Sequence, residues 1–447
     1  MRVPVLVDLP AQEPLIESAT AAAEGRPPRI PVEEATVPSS VELDTTFPAV
    51  PVGTGDQNQF SLEPMGPAVS EHFVVRGFLE LEEDEPIPFE LDGRPVNADP
   101  PIAPFLTCGG SPPLGTAADV SRNLNGSVLA QRGLDGSGVA VAIVDTGINL
   151  AHLRTALGGV PPIDPANSWM APGRSTAAFA HPVGHGTMCA YDALIMAPKA
   201  TLIDFPVLRG SAPGGALTGS TLSVAVQAYA QLIAFWSVAF APGGAPRYRS
   251  LVVSNSWGIY HPSWDFNAGH PGRYVDNPNH PFQVLVSVLT RGGADVVFAA
   301  GNCGAECAST KCQNRTTGTI MGANASSDVL TLAGCDVNDD RVGYSSQGPS
   351  ISGMFQEKPD LSSYTHFSGS AAMGTGSPDS GTSAACPVAA GCVAAIRSKV
   401  STQTLPPANL RQQLLAMARK VNGATTWNGD YGHGIIDPDA TAQSLNV

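Results

Sequence analysis

The sequence predicts an α/β fold, in which helices cover both faces of a mostly parallel sheet, together with an N-terminal extension. After Gly115, short runs rich in β-branched residues alternate with longer helical stretches, which is typical of parallel strands joined by crossover helices. Before Gly115 the composition differs, because much of the chain is rich in Pro, Glu, Ala and Thr. The predicted strands are Val139–Val144, Thr201–Val207, Leu251–Asn255, Asp295–Ala299 and Val329–Ala333, and the predicted helices are Gly186–Met196, Ser220–Ala239, His280–Arg291, Thr382–Val400 and Pro407–Lys420.

Length and composition bound the class of protein. The 447 residues suffice for one large domain with an appendage or for two ordinary domains. Hydrophobic residues make up 43 % and charged residues 14 %, with 47 Gly and 40 Pro, which favours a loop-rich globular enzyme. The formal net charge of −15 disfavours nucleic acid and anionic membranes as partners, because like charges repel.

Three segments are predicted along the chain. Residues 1–71 show no sustained hydrophobic period and are expected to be low-complexity and mostly extended or disordered. Residues 72–115 contain a predicted strand at His72–Leu81 and end in Pro-rich coil. Residues 116–447 carry the alternating pattern and are predicted to form the main domain.

Neither a leader nor a membrane span is predicted. Residues 1–25 lack a basic region followed by an apolar core, so they do not read as a secretory signal, and the cytoplasm is the default expectation. The most apolar long stretch, residues 222–241, is interrupted by Ser223, Gln227 and Gln231 and is predicted to be a buried helix.

Three motifs stand at predicted strand ends or helix starts. V-A-I-V-D-T-G-I ends a strand at Asp145, H-P-V-G-H-G-T-M opens a helix at His185, and D-S-G-T-S-A-A-C-P opens a helix at Ser383. In parallel sheets, function gathers at the carboxyl ends of the strands, so these side chains can converge. A serine hydroxyl needs a base to become a nucleophile, and histidine supplies one near neutral pH. A carboxylate behind the imidazole fixes its tautomer, which predicts an Asp145–His185–Ser383 triad.

A fourth motif, F-A-A-G-N, ends a strand at Asn302. Gly301 allows the backbone to turn sharply, so that Asn302 can offer its amide N–H to an oxyanion. The backbone N–H of Ser383, at the start of a helix, is the predicted second donor.

The strings D-T-G, G-H-G-T, A-A-G-N and S-G-T-S-A-A-C-P, in this order, resemble the four signatures of the subtilases. The resemblance covers roughly Thr116–Val447. It implies a subtilisin-like three-layer α/β sandwich and a serine endopeptidase that hydrolyses protein or peptide substrates through an acyl-enzyme on Ser383. The mechanism requires no cofactor.

The same resemblance implies a pocket for the substrate side chain before the scissile bond. Trp257 stands where the family usually has leucine, which puts the usual side-chain preference in doubt. The stretch Ile259–His280 looks like an insertion beside that pocket. The residues implied to line the pocket are Ser256, Trp257, Gly258, Ala299, Ala300 and Gly301.

Residues 72–115 have two alternative roles. Subtilases are often made with an inhibitory pro-segment that is cut away, and this segment is placed for that role; a permanent strap across the main domain is the alternative. Two other functions also stay open. One is a dedicated precursor-processing or transpeptidating subtilase, and the other is a non-catalytic binding protein with a protease fold.

Eight cysteines are present, and Cys303, Cys307 and Cys312 crowd into the loop after Asn302. The alternatives for this loop are a disulfide, with Cys312 or Cys335 as candidates, free thiols, or a zinc site that lacks the usual paired spacing. The acidic run at 336–340 is the best candidate for a structural calcium. It lacks the spaced ligands and glycine of a calcium loop, so a solvated turn is favoured and no metal is predicted.

Overall fold

A computed structural model describes residues 1–24, 26, 30, 35–52, 71–107, 110–171, 176–208, 220–239, 247–421 and 423–447. The strands are β1 Arg2–Pro10, β2 Val41–Leu43, β3 Val50–Val52, β4 His72–Glu80, β5 Glu90–Leu91, β6 Arg94–Ala98, β7 Pro101–Pro104, β8 Val139–Asp145, β9 Thr201–Pro206, β10 Ser220–Thr221, β11 Ser250–Asn255, β12 Trp257–Gly258, β13 Ala294–Ala299, β14 Leu330–Cys335 and β15 Leu361–Tyr364. The helices are α1 Glu13–Ala23, α2 Ala117–Asn123, α3 Gly126–Gln131, α4 Leu150–Leu157, α5 His185–Met196, α6 Leu222–Ala239, α7 Pro281–Arg291, α8 Thr382–Arg397, α9 Pro407–Met417 and α10 Pro438–Ser444.

The centre of the fold is a parallel sheet of six strands in the order β15-β14-β13-β11-β8-β9. Successive side chains of a strand face opposite sides, and β8 shows the consequence. Val141 and Ile143 pack into the cluster that contains α5 and α8, whereas Ala142 and Val144 pack into the cluster that contains α6 and α7. Helices therefore cover both faces of the sheet, and the predicted α/β sandwich is confirmed.

The five predicted strands and five predicted helices of the main domain are present, with ends that differ by a few residues. The short edge strand β15 was not predicted, because its sequence L-S-S-Y has no hydrophobic period. Helices α2 and α3 are separated at Asn125, whose backbone is left-handed. None of the helices in the described ranges is long and apolar enough to cross a membrane.

The N-terminal region differs from its prediction. A second, antiparallel sheet has the order β2-β4-β1-β6-β5, with β3 also paired to β4, and helix α1 packs on it. Val5, Val7, Phe73 and Val75 belong to its core. Strand β1 carries an alternating apolar pattern, but Pro4 interrupts it, and the surrounding composition resembles that of disordered segments. Of the segment predicted to be disordered, residues 53–70 lie outside the described residues.

The predicted boundary at residue 72 does not separate two folding units. β4 begins there, as the predicted strand His72–Leu81 requires, but it pairs with β1 along its whole length, from Arg2↔Glu80 to Pro10↔His72. Residues 1–10 and 72–80 therefore belong to one sheet.

Candidate active site

Asp145 and His185 meet at the carboxyl end of β8. Asp145 is the last residue of β8, and His185 is the first residue of α5. The ring Nδ1–H of His185 donates to both carboxylate oxygens of Asp145, at 2.8 and 3.0 Å. Both side chains are buried, so the pair is shielded from water and the imidazole has a fixed orientation.

The D-T-G and G-H-G-T motifs each contain a glycine at a position where a side chain would not fit. A Cβ on Gly186 would lie 2.6 Å from the carbonyl oxygen of Gly147, and one on Gly147 would lie 2.3 Å from the ring of His181. Thr146 Oγ1 also accepts a hydrogen bond from the Gly186 backbone N–H at 2.9 Å. The D-T-G turn and the start of α5 can therefore approach closely only with glycine at both positions.

Ser383 lies in the first turn of α8, and its side chain is fully buried. Its Oγ lies 3.0 Å from the carbonyl oxygen of Phe105 and 3.3 Å from that of Ser256. Cys189, one turn after His185, connects the three predicted triad residues. Its Sγ lies 3.7 Å from Asp145 Oδ2, 3.8 Å from His185 Nδ1 and 3.6 Å from the backbone oxygen of Ser383.

Cys189 is a free, buried thiol. Burial is the main cause that raises its pKa well above the ordinary value, and the charge of Asp145 adds to the effect. The donor atoms of Asp145, His185 and Cys189 lie within 4.8 Å of one another and form the one cluster of three metal-ligating side chains among the described residues.

Asn302 is oriented by the residue before Ser383. The backbone N–H and the hydroxyl of Thr382 donate to Asn302 Oδ1 at 2.9 and 3.1 Å, so the amide nitrogen Nδ2 must point the other way. A Cβ on Gly381 would lie 2.7 Å from Nδ2, so glycine keeps this space open in front of Ser383.

Two polar atoms at this site are buried without a hydrogen-bond partner among the described residues: His185 Nε2 and Asn302 Nδ2. A buried polar atom without a partner costs free energy, and such atoms are rare in folded proteins. These two are the atoms that a serine-peptidase transition state would use, one as the base and the other as an oxyanion donor.

The chain itself covers Ser383. Strand β7 lies between β12 and β10 and pairs antiparallel with both, so that Pro104 is opposite Trp257 and Ile102 is opposite Ser220. Phe105 follows, and its backbone N–H donates to the carbonyl oxygen of Ser256 at 3.3 Å. We call residues 101–106 the covering segment. It is held in the way that a peptide is added as a strand to an exposed sheet edge.

The ring of Phe105 fills the pocket that the sequence predicts. A Cβ on Gly258 would lie 2.6 Å from Phe105 Cζ, and one on Gly301 would lie 3.5 Å from the same atom. The two glycines therefore form opposite walls around the ring. Asn324 joins these walls, because its Nδ2 donates to the carbonyl oxygens of Trp257 and Ala299 at 3.0 and 2.8 Å.

The side chain of Trp257, predicted to line this pocket, lies instead in the core. It is fully buried against Phe282 and Phe298, with ring centroids 5.8 and 5.6 Å away. Alternation along the strand explains the difference, because Gly258 faces the pocket and its neighbour Trp257 must face the other way. Trp257 therefore gives no reason to doubt the side-chain preference that is usual for this pocket.

The cysteine loop after Asn302 contains a disulfide between Cys303 and Cys312, and Cys307 is disulfide-bonded as well. Cys335, a predicted candidate, is a free buried thiol. Cys108 lies outside the described residues. The disulfide alternative is therefore the one that the structure contains, and it closes the loop beside Asn302.

The acidic run at 336–340 uses its carboxylates within the chain. Asp336 Oδ1 accepts from the backbone N–H of Asn338 and Asp340, at 2.8 and 3.2 Å. Asp339 forms an ion pair with Arg419 and accepts a hydrogen bond from Tyr364.

Sequence reasoning did not single out Phe105, Asn324 or Tyr260. Phe105 lies in Pro-rich coil, and no local motif marks the other two. The only available signal was that Tyr260 opens the stretch predicted to be an insertion beside the pocket.

The chain is similar in sequence to known proteins. The model of the subtilase family of peptidases matches residues 136–434. The membrane-bound transcription factor site-1 protease of Homo sapiens is 33 % identical over 177 residues, which are 38 % of this chain and 16 % of that protein. The mouse protein, from Mus musculus, is 33 % identical over 168 residues, which are 36 % of this chain and 15 % of that protein.

This chain therefore spans only about a sixth of the length of these curated relatives. Among solved structures, MycP1 with its N-terminal propeptide removed aligns with a TM-score of 0.46 and 20 % identity, over 72 % of this chain and 96 % of that chain. The family match covers more than half of the sequence and includes all four motifs. The chain belongs to the subtilase family.

Proposed function

We propose that the protein is a serine endopeptidase that hydrolyses peptide bonds through an acyl-enzyme on Ser383. Ser383 Oγ attacks the substrate carbonyl carbon while His185 Nε2 takes its proton. Asp145 holds the other ring nitrogen and stabilises the imidazolium that forms. Asn302 Nδ2 and the backbone N–H of Ser383 stabilise the oxyanion. The imidazolium then protonates the leaving amine, and water releases the acyl group by the same steps in reverse.

The observation that carries the proposal is the position of Phe105. Its carbonyl oxygen lies 3.0 Å from Ser383 Oγ, its N–H is bound by Ser256, and its ring lies between Gly258 and Gly301. A substrate residue before the scissile bond would make the same contacts, and its carbonyl oxygen would in addition move to Asn302 Nδ2 as negative charge develops. His185 Nε2 and Asn302 Nδ2, both buried and without a partner among the described residues, supply the base and the oxyanion donor.

The first substrate in this proposal is the chain itself. Phe105 occupies the position before the scissile bond, so the bond between Phe105 and Leu106 is the one presented to Ser383. The covering segment then acts as a pro-segment that blocks the site until it is cut and released. This assigns residues 1–105 to a removable N-terminal part, and it favours an aromatic side chain at the same position in other substrates.

The test is labelling by a fluorophosphonate probe, followed by intact-mass analysis. We expect one probe adduct on the wild type and none on Ser383→Ala, because only an activated serine reacts at a useful rate. A wild type that is unlabelled, both as the full chain and as a variant that starts at Leu106, would favour the non-catalytic binding protein. Turnover of casein would favour a general peptidase, and turnover only of a peptide that spans residues 101–107 would favour a dedicated processing enzyme.

A further inference from the structure

Tyr260 lies where it contacts the peptide groups on both sides of Phe105. It follows β12 by two residues, and its side chain is fully buried. Its hydroxyl donates to the carbonyl oxygen of Pro104 at 3.0 Å and accepts from the backbone N–H of Leu106 at 2.6 Å. Leu106 N is the nitrogen of the bond that the proposed function cleaves.

We propose that Tyr260 is a substrate-binding and catalytic residue that holds the leaving-group nitrogen of the scissile bond. The proposal rests on the proposed function, because it takes the covering segment as a substrate. The groups of the covering segment that the hydroxyl touches all belong to the main chain, and they include the carbonyl oxygen of Leu106 at 3.5 Å. The hydroxyl also contacts the side chain of Ser309 in the main domain. Any peptide would present the same carbonyl and the same N–H, so the contact does not depend on substrate sequence.

The ring of Tyr260 is fixed independently of its hydroxyl. It packs edge-on against Phe105, with centroids 5.3 Å apart at 74°, and against Trp264 at 5.7 Å. In addition, the ammonium of Lys311 lies 5.3 Å from the ring centroid. The ring therefore needs no hydroxyl to stay in place, and the edge-on contact favours an aromatic substrate residue.

The chemical role follows from the breaking bond. The bond from Ser383 Oγ to the carbonyl carbon of Phe105 forms, and the bond from that carbon to Leu106 N breaks. The nitrogen must accept a proton from the His185 imidazolium on its new lone pair. Tyr260 keeps the existing N–H directed at its own oxygen, which leaves the lone pair free for His185.

Tyr260 transfers no proton in this scheme. Its hydroxyl donates to the carbonyl oxygen of Pro104 at 3.0 Å, and the carbonyl oxygen of Leu106 is a more distant acceptor at 3.5 Å. Burial raises the pKa of the phenol well above its ordinary value, so the group stays neutral. The alternative is that Tyr260 is only a core residue, in which case removal of the hydroxyl would leave catalysis unchanged.

The experiment compares Tyr260→Phe with wild type on two matched substrates that share their acyl part, with Phe before the scissile bond. One is a peptide amide and the other is the corresponding ester, whose leaving oxygen carries no hydrogen. We expect the ratio of kcat/KM on the amide to kcat/KM on the ester to fall about tenfold, which corresponds to one net hydrogen bond. Self-cleavage of the full chain should slow by a similar factor.

Tyr274→Phe is the matched control. Tyr274 lies in the same insertion, is also buried, and its hydroxyl accepts from the backbone N–H of Ala323 at 2.9 Å, away from the covering segment. Its amide-to-ester ratio should stay at the wild-type value. An unchanged ratio in Tyr260→Phe, in protein whose Ser383 still reacts with the fluorophosphonate, would overturn the role of Tyr260. Absence of labelling in both the wild type and the variant that starts at Leu106 would overturn the proposed function itself.

Discussion

Asn302 is the oxyanion donor of the proposed mechanism, and its surroundings fix its orientation. Its Oδ1 is engaged by two hydrogen bonds from Thr382, while its Nδ2 is buried without a partner among the described residues. A donor held in this way is already oriented before negative charge develops, so it stabilises the transition state more than the ground state.

Asn302→Ala should therefore lower kcat by about 10²–10³-fold and change KM little. The measurement is steady-state kinetics on a peptide with Phe before the scissile bond. Thr382→Val is the matched control, because it removes one bond to Oδ1 and keeps the amide nitrogen. A loss in Thr382→Val as large as that in Asn302→Ala would mean that loop geometry, and not the donor, explains the effect.

At the residue scale, site residues could be predicted from the sequence where a short local motif holds them. Asp145, His185, Asn302 and Ser383 follow strand ends or helix starts, and each motif contains a glycine that the close approach requires. Tyr260 could not be predicted in this way, because its partners are backbone groups more than 150 residues earlier in the chain.

At the scale of elements, helix α5 and the loop before α8 meet at two buried carboxyl groups. Asp192 lies on α5, two turns after His185, and both of its oxygens lack a hydrogen-bond partner among the described residues. It faces Asp379, which accepts from the backbone N–H and the hydroxyl of Ser370 at 2.5 and 2.7 Å. Two buried carboxylates that face each other are unfavourable when both are charged, which favours the protonated form of one of them.

Burial, followed by the charge of Asp379, raises the pKa of Asp192 well above its usual range. In the unfolded chain the group has a pKa of about 4, so the folded state binds the proton more tightly. Protonated Asp192 therefore contributes its full stabilisation below the pKa of the unfolded chain. This stabilisation is lost as the pH rises towards the pKa of the folded state.

Asp192→Asn should remove this loss of stability at high pH, because the amide is neutral and can donate to Asp379. Relative to wild type, we expect its free energy of unfolding to increase by about 1–3 kcal/mol between pH 4 and pH 8. Urea denaturation in the Ser383→Ala background measures this without self-digestion. A difference between the two proteins that does not change with pH would mean that Asp192 is charged in the fold.

Element prediction succeeded where a strand lies in the centre of the parallel sheet. β8, β11 and β13 are buried on both faces, and they contain the uninterrupted apolar runs V-A-V-A-I-V, L-V-V and V-V-F-A. β1 failed because its alternating pattern lies in a composition typical of disorder, and its partner β4 is about 70 residues away. Pairing over such a distance leaves no local signal.

At the scale of the whole molecule, the N-terminal sheet is joined to the main domain by polar contacts as well as by the covering segment. Asp99 is buried, binds Arg76 of the N-terminal sheet at 2.7 Å, and accepts from the backbone N–H of Ser223 at 2.7 Å at the start of α6. A Cβ on Gly272 would lie 1.8 Å from the carbonyl oxygen of Val96, so the two parts touch backbone to backbone.

These contacts have a consequence for the cleaved protein. They do not involve the bond between Phe105 and Leu106, so they remain after the bond is cut. The N-terminal part should then stay associated with the main domain after cleavage. Cleavage must therefore be measured under denaturing conditions, which separate the two chains.

The most direct test of the account is the intact mass of purified wild type and Ser383→Ala under denaturing conditions. The account predicts two wild-type chains, residues 1–105 and 106–447, and a single chain of 447 residues for Ser383→Ala. An uncut wild type would contradict self-cleavage and favour a permanent strap. Cleavage of Ser383→Ala at the same bond would show that another peptidase makes the cut.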